Sequence, residues 1–333
     1  MKKATVISVA FFILAAAAVF VFAPGKKRFI SEKRFQMATF TMITLPEGKD
    51  SPKALKEAFG AIDEVERAFS RFMADSEINH LNESAGAGFV RLSPLFLPAW
   101  EKAEELYRLS GGRFDPTAGQ LISLWGFGPE GKRKTPSEEE IKNALAVTGF
   151  DKIERSNDWV KLPAGMKLDF NALAAGYAAD RAALVLRNLG VEVFLVDAGG
   201  EIVASGKDHP WTIGIRDPLK EESHLYESVA LRERAISTSG SYANNYREGQ
   251  GRYTHIVDPI KGGTFMNSLL SVSVTAPDAL TADGFSTLLF CLPPEEGLDL
   301  AEKTEGIEAL FLIEKGDGSL IRKATSGWGG EEK

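Results

Sequence analysis

Apolar residues recur at intervals of three and four along several long segments of the chain, which is the spacing of one helix face. The stretch 51–72 begins with Ser51 as N-cap and Pro52 in the first turn, a typical helix start, and its apolar stripe runs to Phe72. The helices that this spacing predicts cover residues 51–72, 76–82, 94–109, 135–149, 171–190 and a segment from 277 onward.

Shorter runs rich in β-branched and aromatic residues predict strands between these helices. The predicted strands are 37–45, 191–204, 211–215, 228–237, 253–257 and 269–276. Two further runs near the C-terminus are joined by Gly-Asp-Gly, which predicts a hairpin. Strands linked by turns as well as by helices indicate an α+β fold, with largely antiparallel sheets flanked by helices.

The N-terminus carries an uncharged stretch at residues 4–23, with two lysines shortly before it and two shortly after it. Such a stretch predicts an export signal or a single membrane span. We favour an uncleaved anchor over a cleaved signal, because apolar sequence continues beyond the small residues at 15–18. The predicted division is a membrane anchor or signal at 1–25, a basic linker at 26–36, and one folded domain at 37–333.

Composition narrows the classes of function that the chain can serve. The 333 residues are 44% hydrophobic and 26% charged, with a net charge of −7, so a basic nucleic-acid-binding face is not expected. A single cysteine, Cys291, excludes an intrachain disulfide. Four histidines make a zinc site with several histidine ligands improbable.

Three polar stretches beside small residues could carry chemistry. The first, "GGRFDPTAGQLISLWGFGP" at 111–129, is either a turn between helices or a place where backbone approaches a ligand. In the second, "LDFNALAAGYAAD" at 168–180, Asp169 is either a helix N-cap or part of a site with room for a large cofactor. The third is "STSGSYANNY" followed by "RYTHIVDP", where His255 is either structural or a candidate base.

The segment "TADGFSTLLFCL" predicts a helix that is apolar on most sides and therefore buried. Asp283 and Thr287 lie one turn apart on this helix. A buried carboxylate needs a partner, which is an arginine, a hydrogen-bond donor or a hard cation. Carboxylate, hydroxyl and carbonyl oxygens are the ligands that suit Mg²⁺.

Eight motifs, in order along the chain, resemble those of the bacterial FAD:protein FMN transferases, often called the ApbE family. They are "MAT" at 37, "SRFMADSEINHLN" at 70, "GGRFDPTAGQLISLWGFGP" at 111, "LDFNALAAGYAAD" at 168, "DAGGEI" at 197, "STSGSY" at 237, "HIVDP" at 255 and "TADGFST" at 281. The resemblance covers about residues 35–325, and it implies an ApbE-like mixed fold and a flavin transferase domain at 37–333.

The resemblance also implies a role for particular residues. Asp283 and Thr287, with Ser286 beside them and the backbone carbonyl of Ala172, would bind Mg²⁺ against the FAD pyrophosphate, and His255 would be the base. The implied contacts to FAD come from Met37, Phe72, Arg113, Phe114, Asp115, Asp169, Ala175 and Val257. Relatives often have Lys or Glu at position 175, so the alanine here puts that contact in doubt.

The implied reaction cleaves FAD, attaches FMN through a phosphoester bond to a Thr or Ser of a target flavoprotein, and releases AMP. The acceptor would carry a Ser/Thr-Gly-Ala-Ser/Thr-like motif, as in a subunit of a membrane redox complex. An FAD pyrophosphatase and a non-catalytic exported flavin-binding protein are the alternatives. The domain would lie on the periplasmic side of the inner membrane, anchored by the N-terminal segment, or be soluble in the periplasm after cleavage.

If residues 4–23 form an uncleaved anchor, the protein should remain in the membrane fraction after a high-salt wash, because insertion of an apolar segment is insensitive to salt. Immunoblotting of the fractions, with N-terminal sequencing of the mature chain, checks this. Recovery of a soluble form that begins near residue 19 or 24 would show a cleaved signal instead.

Overall fold

The structure, a computed structural model, describes residues 28–129, 135–220, 223–241, 245–248, 251–265 and 268–329. The predicted anchor at 1–25 lies outside these ranges. Among the described residues, no helix combines the length and the apolar content needed to cross a membrane.

Helices and strands alternate irregularly along the chain. The helices are α1 (Ser51–Phe69), α2 (Glu77–Glu83), α3 (Leu97–Leu109), α4 (Gly119–Leu124), α5 (Glu138–Ala146), α6 (Asn171–Asn188), α7 (Ala279–Phe290) and α8 (Pro294–Lys303). The strands are β1 (Phe29–Gln36), β2 (Thr39–Pro46), β3 (Val90–Arg91), β4 (Glu154–Ser156), β5 (Trp159–Lys161), β6 (Phe194–Ala198), β7 (Ile202–Ser205), β8 (Trp211–Arg216), β9 (Leu225–Leu231), β10 (Arg234–Gly240), β11 (Asn245–Glu248), β12 (Gly251–Thr254), β13 (Leu269–Ala276), β14 (Glu308–Glu314) and β15 (Leu320–Ala324).

An eight-stranded sheet in the order β1-β2-β6-β7-β10-β13-β14-β15 forms the centre of the molecule, and every neighbouring pair in it is antiparallel. Helices α1, α3, α6 and α7 cover one face, and the β8–β9 hairpin packs on the other. Successive residues therefore enter different cores: on β14, Phe311 joins the helical core and Leu310 and Leu312 join the hairpin core. The predicted α+β class with antiparallel sheets is confirmed.

The N-terminal boundary differs from the prediction. The linker predicted for 26–36 is wrong from residue 29 onward, because Phe29–Gln36 is β1 and pairs along its whole length with β2. The charged residues of this segment, Glu32, Lys33 and Arg34, lie on an edge strand, where charges are common. The strand predicted at 37–45 begins at Thr39, since Met37 and Ala38 form the turn between β1 and β2 with φ of 53° and 58°.

Other boundaries shift for local reasons. Helix α1 ends at Phe69, so Phe72 lies outside it, and Asp50 rather than Ser51 is the N-cap residue. The strand predicted at 191–204 is two antiparallel strands, β6 and β7, and the strand predicted at 228–237 falls on parts of β9 and β10, which belong to different sheets. Gly199 and Gly200, at φ 94° and 115°, make the turn that divides the first of them.

Helices α6 and α7 cross in close contact at Gly176. A Cβ on Gly176 would lie 2.2 Å from the carbonyl oxygen of Ala279 and 2.7 Å from Cβ of Asp283. The start of α7 is tied to α6 there, because the Asp180 carboxylate accepts the N–H groups of Ala279 and Leu280, both at 2.8 Å. This crossing fixes where the side chains of α7 lie relative to α6.

Gly176→Ala should therefore lower the free energy of unfolding by about 1–3 kcal/mol, since the added methyl meets backbone that cannot turn aside. Gly60→Ala in α1 is the matched control: it meets nothing within 4 Å and should be neutral or stabilising by up to about 1 kcal/mol. Urea denaturation of both variants measures the difference. Equal stability of the two would show that the crossing tolerates a side chain.

Candidate active site

A cleft of about 280 Å³ opens where the N-terminal end of α6, the middle of α7 and the end of β10 meet two loops. The loops are the segment before α4 and the segment after β12. Nine of the residues predicted for the site line it: Arg113, Phe114, Asp115, Asp169, Ala172, His255, Val257, Asp283 and Thr287. The sequence motifs thus converge on one place.

Asp283 is buried at the back of the cleft, on the α7 face that meets α6. Its Oδ2 accepts the backbone N–H of Gly176 at 3.0 Å. Burial raises the pKa of Asp283 to about 7, although this hydrogen bond works in the opposite direction. The partner of the buried carboxylate is therefore a backbone donor, and no arginine pairs with it among the described residues.

A second carboxylate, Glu201, lines the cleft opposite Asp283 and was missed by the sequence reasoning. It follows the Gly199–Gly200 turn, where Oδ1 of Asp197 accepts both glycine N–H groups at 3.0 and 2.8 Å. Burial, together with the charges of Asp283 and Asp197, raises the pKa of Glu201 well above its ordinary value. The signal was present in "DAGGEI", but only the turn geometry brings this carboxylate to the cleft.

The oxygen atoms around Asp283 are the donor set that a hard cation requires. Asp283 and Glu201 provide carboxylates, Thr287 a hydroxyl, and Ala172 lines the same cleft near the start of α6. Among the described residues, no group of three or more His, Cys, Asp or Glu side chains could hold a metal. A cation here would therefore need hydroxyl and carbonyl oxygens, completed by water or by phosphate oxygens of a ligand.

A buried ion pair organises the opposite wall. Nη1 of Arg71 lies 2.8 Å from Oδ2 of Asp169, and Nη2 donates to the Ser123 hydroxyl at 2.8 Å. Asp169 is not the N-cap of α6, a position held by Phe170, although Oδ1 accepts the N–H of Asn171 at 2.9 Å. Asp169 therefore serves first to lock the loop before α6 in place, and it still borders the cleft.

The loop before α4 is clamped onto the loop before α6 by backbone. The N–H of Asp169 donates to the carbonyl of Pro116 at 2.7 Å, and the N–H of Gly119 donates to Lys167 at 3.0 Å. Within this loop, Oδ1 of Asp115 accepts both the N–H and the hydroxyl of Thr117, at 2.8 and 2.6 Å. Burial raises the pKa of Asp115 to about 6.

His255 is half-buried on the segment that follows β12, and it faces the cleft. The edge of its ring packs against Phe127, with centroids 6.4 Å apart. Val257, two residues on, forms an antiparallel bridge with Thr264 that holds this segment as a short loop. The imidazole thus borders the same cleft as α7, on a segment that this bridge holds in place.

The comparisons with known proteins agree with this arrangement. The model of the ApbE family matches residues 37–311. The FAD:protein FMN transferase of Vibrio cholerae is 32% identical over 281 residues, which cover 83% of this chain and 84% of that protein. The protein of the same name from Haemophilus influenzae is 31% identical over 287 residues, covering 83% and 82% of the two chains.

The chain belongs to the ApbE family. Solved ApbE structures share its fold: the flavin transferase ApbE from Vibrio cholerae superposes with a TM-score of 0.83 at 29% identity, covering 91% of this chain and 99% of that one. The apo form of the Pseudomonas stutzeri flavinyl transferase ApbE gives a TM-score of 0.79 at 29% identity, covering 92% and 98%.

Four residues that the ApbE resemblance implied do not line the cleft: Met37, Phe72, Ala175 and Ser286. Met37 lies in the β1–β2 turn, and Phe72 is 57% exposed. The Ser286 hydroxyl is buried behind Thr287 and donates to the carbonyl of Asp283 at 2.9 Å. The FAD contacts at the first three positions stay predictions, and so does the metal contact at Ser286.

The raised pKa of Asp283 predicts that the stability of the metal-free protein, measured in EDTA, depends on pH. Between its ordinary value of 3.8 and about 7, the folded state binds more protons than the unfolded state, so stability falls as pH rises. Asp283→Asn keeps an oxygen for the Gly176 N–H and cannot ionise. It should reduce the loss of unfolding free energy between pH 5 and 8 by on the order of 2 kcal/mol.

Urea titrations of both proteins at several pH values measure this effect. Asp299→Asn, on exposed α8, is the control and should leave the pH dependence nearly unchanged. Parallel curves for wild type and Asp283→Asn would mean that Asp283 is ionised in the fold at no cost.

Proposed function

We propose that this protein is an FAD:protein FMN transferase that uses Mg²⁺. It cleaves FAD, attaches FMN through a phosphoester bond to a Thr or Ser of a target flavoprotein, and releases AMP. The observation that carries the proposal is the cluster of oxygen-bearing groups around the buried Asp283, in the cleft where the family motifs converge. The names of its ApbE relatives support the same activity.

The residues present fit a magnesium ion. In a regular helix the N–H of Gly176 would donate to the carbonyl of Ala172, four residues earlier. Here that N–H donates to Oδ2 of Asp283 at 3.0 Å, so a bond to the Ala172 carbonyl would have to share this donor. Ala172, Asp283 and Thr287 would then hold Mg²⁺, which when bound neutralises charge on the phosphate oxygens and stabilises the leaving group.

The walls of the cleft suggest how FAD would be held. The adenosine part would lie against Arg113, Phe114 and Asp115, with Asp169 and the Val257 backbone nearby, all of which border the cleft. The flavin would extend toward Met37 and Phe72. An exposed aromatic ring such as Phe72 offers a face for stacking once a ligand covers it.

The proposed reaction is phosphoryl transfer to an alcohol, in which positioning and charge neutralisation do most of the catalytic work. The acceptor hydroxyl oxygen forms a bond to the phosphorus on the FMN side, and the bond from that phosphorus to the bridging oxygen breaks. AMP leaves with the bridging oxygen. His255 takes the proton of the attacking hydroxyl, a role suited to an imidazole near neutral pH.

Two alternatives use the same cleft. If water replaces the acceptor hydroxyl, the protein is an FAD pyrophosphatase that yields FMN and AMP. If neither attacks, it is a non-catalytic exported flavin-binding protein. The presence of His255 opposite a cluster of cation-type ligands favours catalysis, since binding alone needs no base.

We further propose that the N-terminal segment anchors the domain to the periplasmic side of the inner membrane. An anchor there would keep the enzyme near an acceptor in a membrane redox complex subunit with a Ser/Thr-Gly-Ala-Ser/Thr-like motif. The support is the uncharged run at 4–23; a soluble periplasmic form is the alternative.

The decisive experiment incubates the protein with FAD, Mg²⁺ and a threonine-motif peptide, and follows the products by mass spectrometry. A covalent peptide–FMN adduct with release of AMP is the expected result, and Asp283→Ala should abolish it. Free FMN would identify a hydrolase, and unchanged FAD would identify a binding protein. Full activity of Asp283→Ala that still requires Mg²⁺ would remove Asp283 from the metal site.

His255→Gln should reduce single-turnover transfer by roughly 10²–10⁴-fold, the usual contribution of a positioned base. FAD affinity and melting temperature should stay nearly intact, because glutamine keeps a polar group at this position. All three quantities are measured on one preparation. A lowered melting temperature with near-normal transfer per folded molecule would make His255 a structural residue.

A further inference from the structure

A chain of hydroxyl groups connects the strand β10 with the helix α7 at the edge of the cleft, which Ser239 and Thr287 both line. Oγ of Ser239 lies 2.8 Å from Oγ of Ser286 and 3.0 Å from Oγ1 of Thr287. Oγ of Ser237 lies 3.3 Å from Ser286 and 3.4 Å from Oε1 of Glu201. Ser237 and Ser239 are two residues apart on one strand, so their side chains share the face that meets α7.

Each hydroxyl has one proton, which fixes the direction of these bonds. The Ser286 proton goes to the carbonyl of Asp283, at 2.9 Å. The short bond between Ser239 and Ser286 must therefore use the proton of Ser239. The bond between Ser239 and Thr287 must then use the proton of Thr287, because Ser239 has no second one.

The consequence concerns the oxygen of Thr287. With its proton directed to Ser239, both lone pairs of Oγ1 are left for other partners, and Thr287 borders the cleft. Without Ser239, the Thr287 hydroxyl would turn toward another acceptor, such as the carbonyl one turn earlier on α7. A cation ligand must present a lone pair and not a proton.

We propose that Ser239 is a positioning residue that orients the Thr287 hydroxyl for cation binding, with Ser286 as the acceptor that sets the direction of the chain. This inference rests on the proposed magnesium site. It also gives Ser286 a role other than that of a direct ligand. Ser237 lies 3.3 Å from Ser286 and 3.4 Å from Oε1 of Glu201, so the second carboxylate of the cleft adjoins the same network.

The test measures Mn²⁺ binding to the FAD-free full-length protein, using the loss of the free-ion signal in electron paramagnetic resonance. Mn²⁺ accepts the same oxygen ligands as Mg²⁺. Ser239→Ala should weaken binding about threefold to tenfold, the equivalent of one neutral hydrogen bond. Ser239→Thr keeps a hydroxyl and should restore most of the affinity.

Ser273→Ala is the matched control. It removes a buried serine hydroxyl from the adjacent strand β13, where Ser273 bonds to Thr238 at 2.8 Å and not to Thr287. Its Mn²⁺ affinity should stay within about twofold of wild type, whereas any loss of melting temperature should resemble that of Ser239→Ala.

The possible results separate this inference from the proposed function. If wild type binds Mn²⁺, Asp283→Ala does not, and Ser239→Ala binds like wild type, the metal site stands and the role of Ser239 is overturned. Equal weakening in Ser239→Ala and Ser273→Ala would also overturn it, since the effect would then be general damage to the sheet. Absence of Mn²⁺ binding in wild type would overturn the metal site and this inference together.

Discussion

The close crossing of α6 and α7 is the constraint on which the site depends. Gly176 lets the two backbones approach, and its N–H then meets the carboxylate of Asp283 at 3.0 Å. One glycine thus brings the start of α6, with Ala172, next to the polar turn of α7. Two helices held at an ordinary distance of 8–10 Å could not share a ligand so closely.

Burial of carboxylates in this cleft also has an electrostatic cost. Asp283 and Glu201 lie in one cleft, and burial raises the pKa of both. Such a pair is compatible with the fold when a proton or a cation compensates the charge. On the opposite wall, the Arg71 guanidinium already compensates the negative charge of Asp169. The two walls therefore present different chemistry to a ligand: on one the Asp169 carboxylate is already paired, and on the other the carboxylates can accept positive charge.

Much of the candidate site could be predicted from local sequence, whereas the other parts depend on tertiary contacts. The sequence could predict that Asp283 and Thr287 lie on the same side of α7, because a helix brings residues four apart next to each other. Helix α7 itself was evident from its apolar content. Glu201 could not be found in this way, since an antiparallel turn through two glycines carries it to the cleft. The strand β1 was missed because its charges resemble a linker, and only its pairing with β2 makes it a strand.

The order of strands in the main sheet also determines when the fold can form. Strand β2 pairs with β6, so Thr41 finds its partner Ala198 about 150 residues later in the chain. Until β6 has been synthesised, the β2 edge of the N-terminal hairpin is unpaired, and contacts between distant segments form slowly. In a nascent chain that edge is therefore available for pairing with another molecule until β6 covers it.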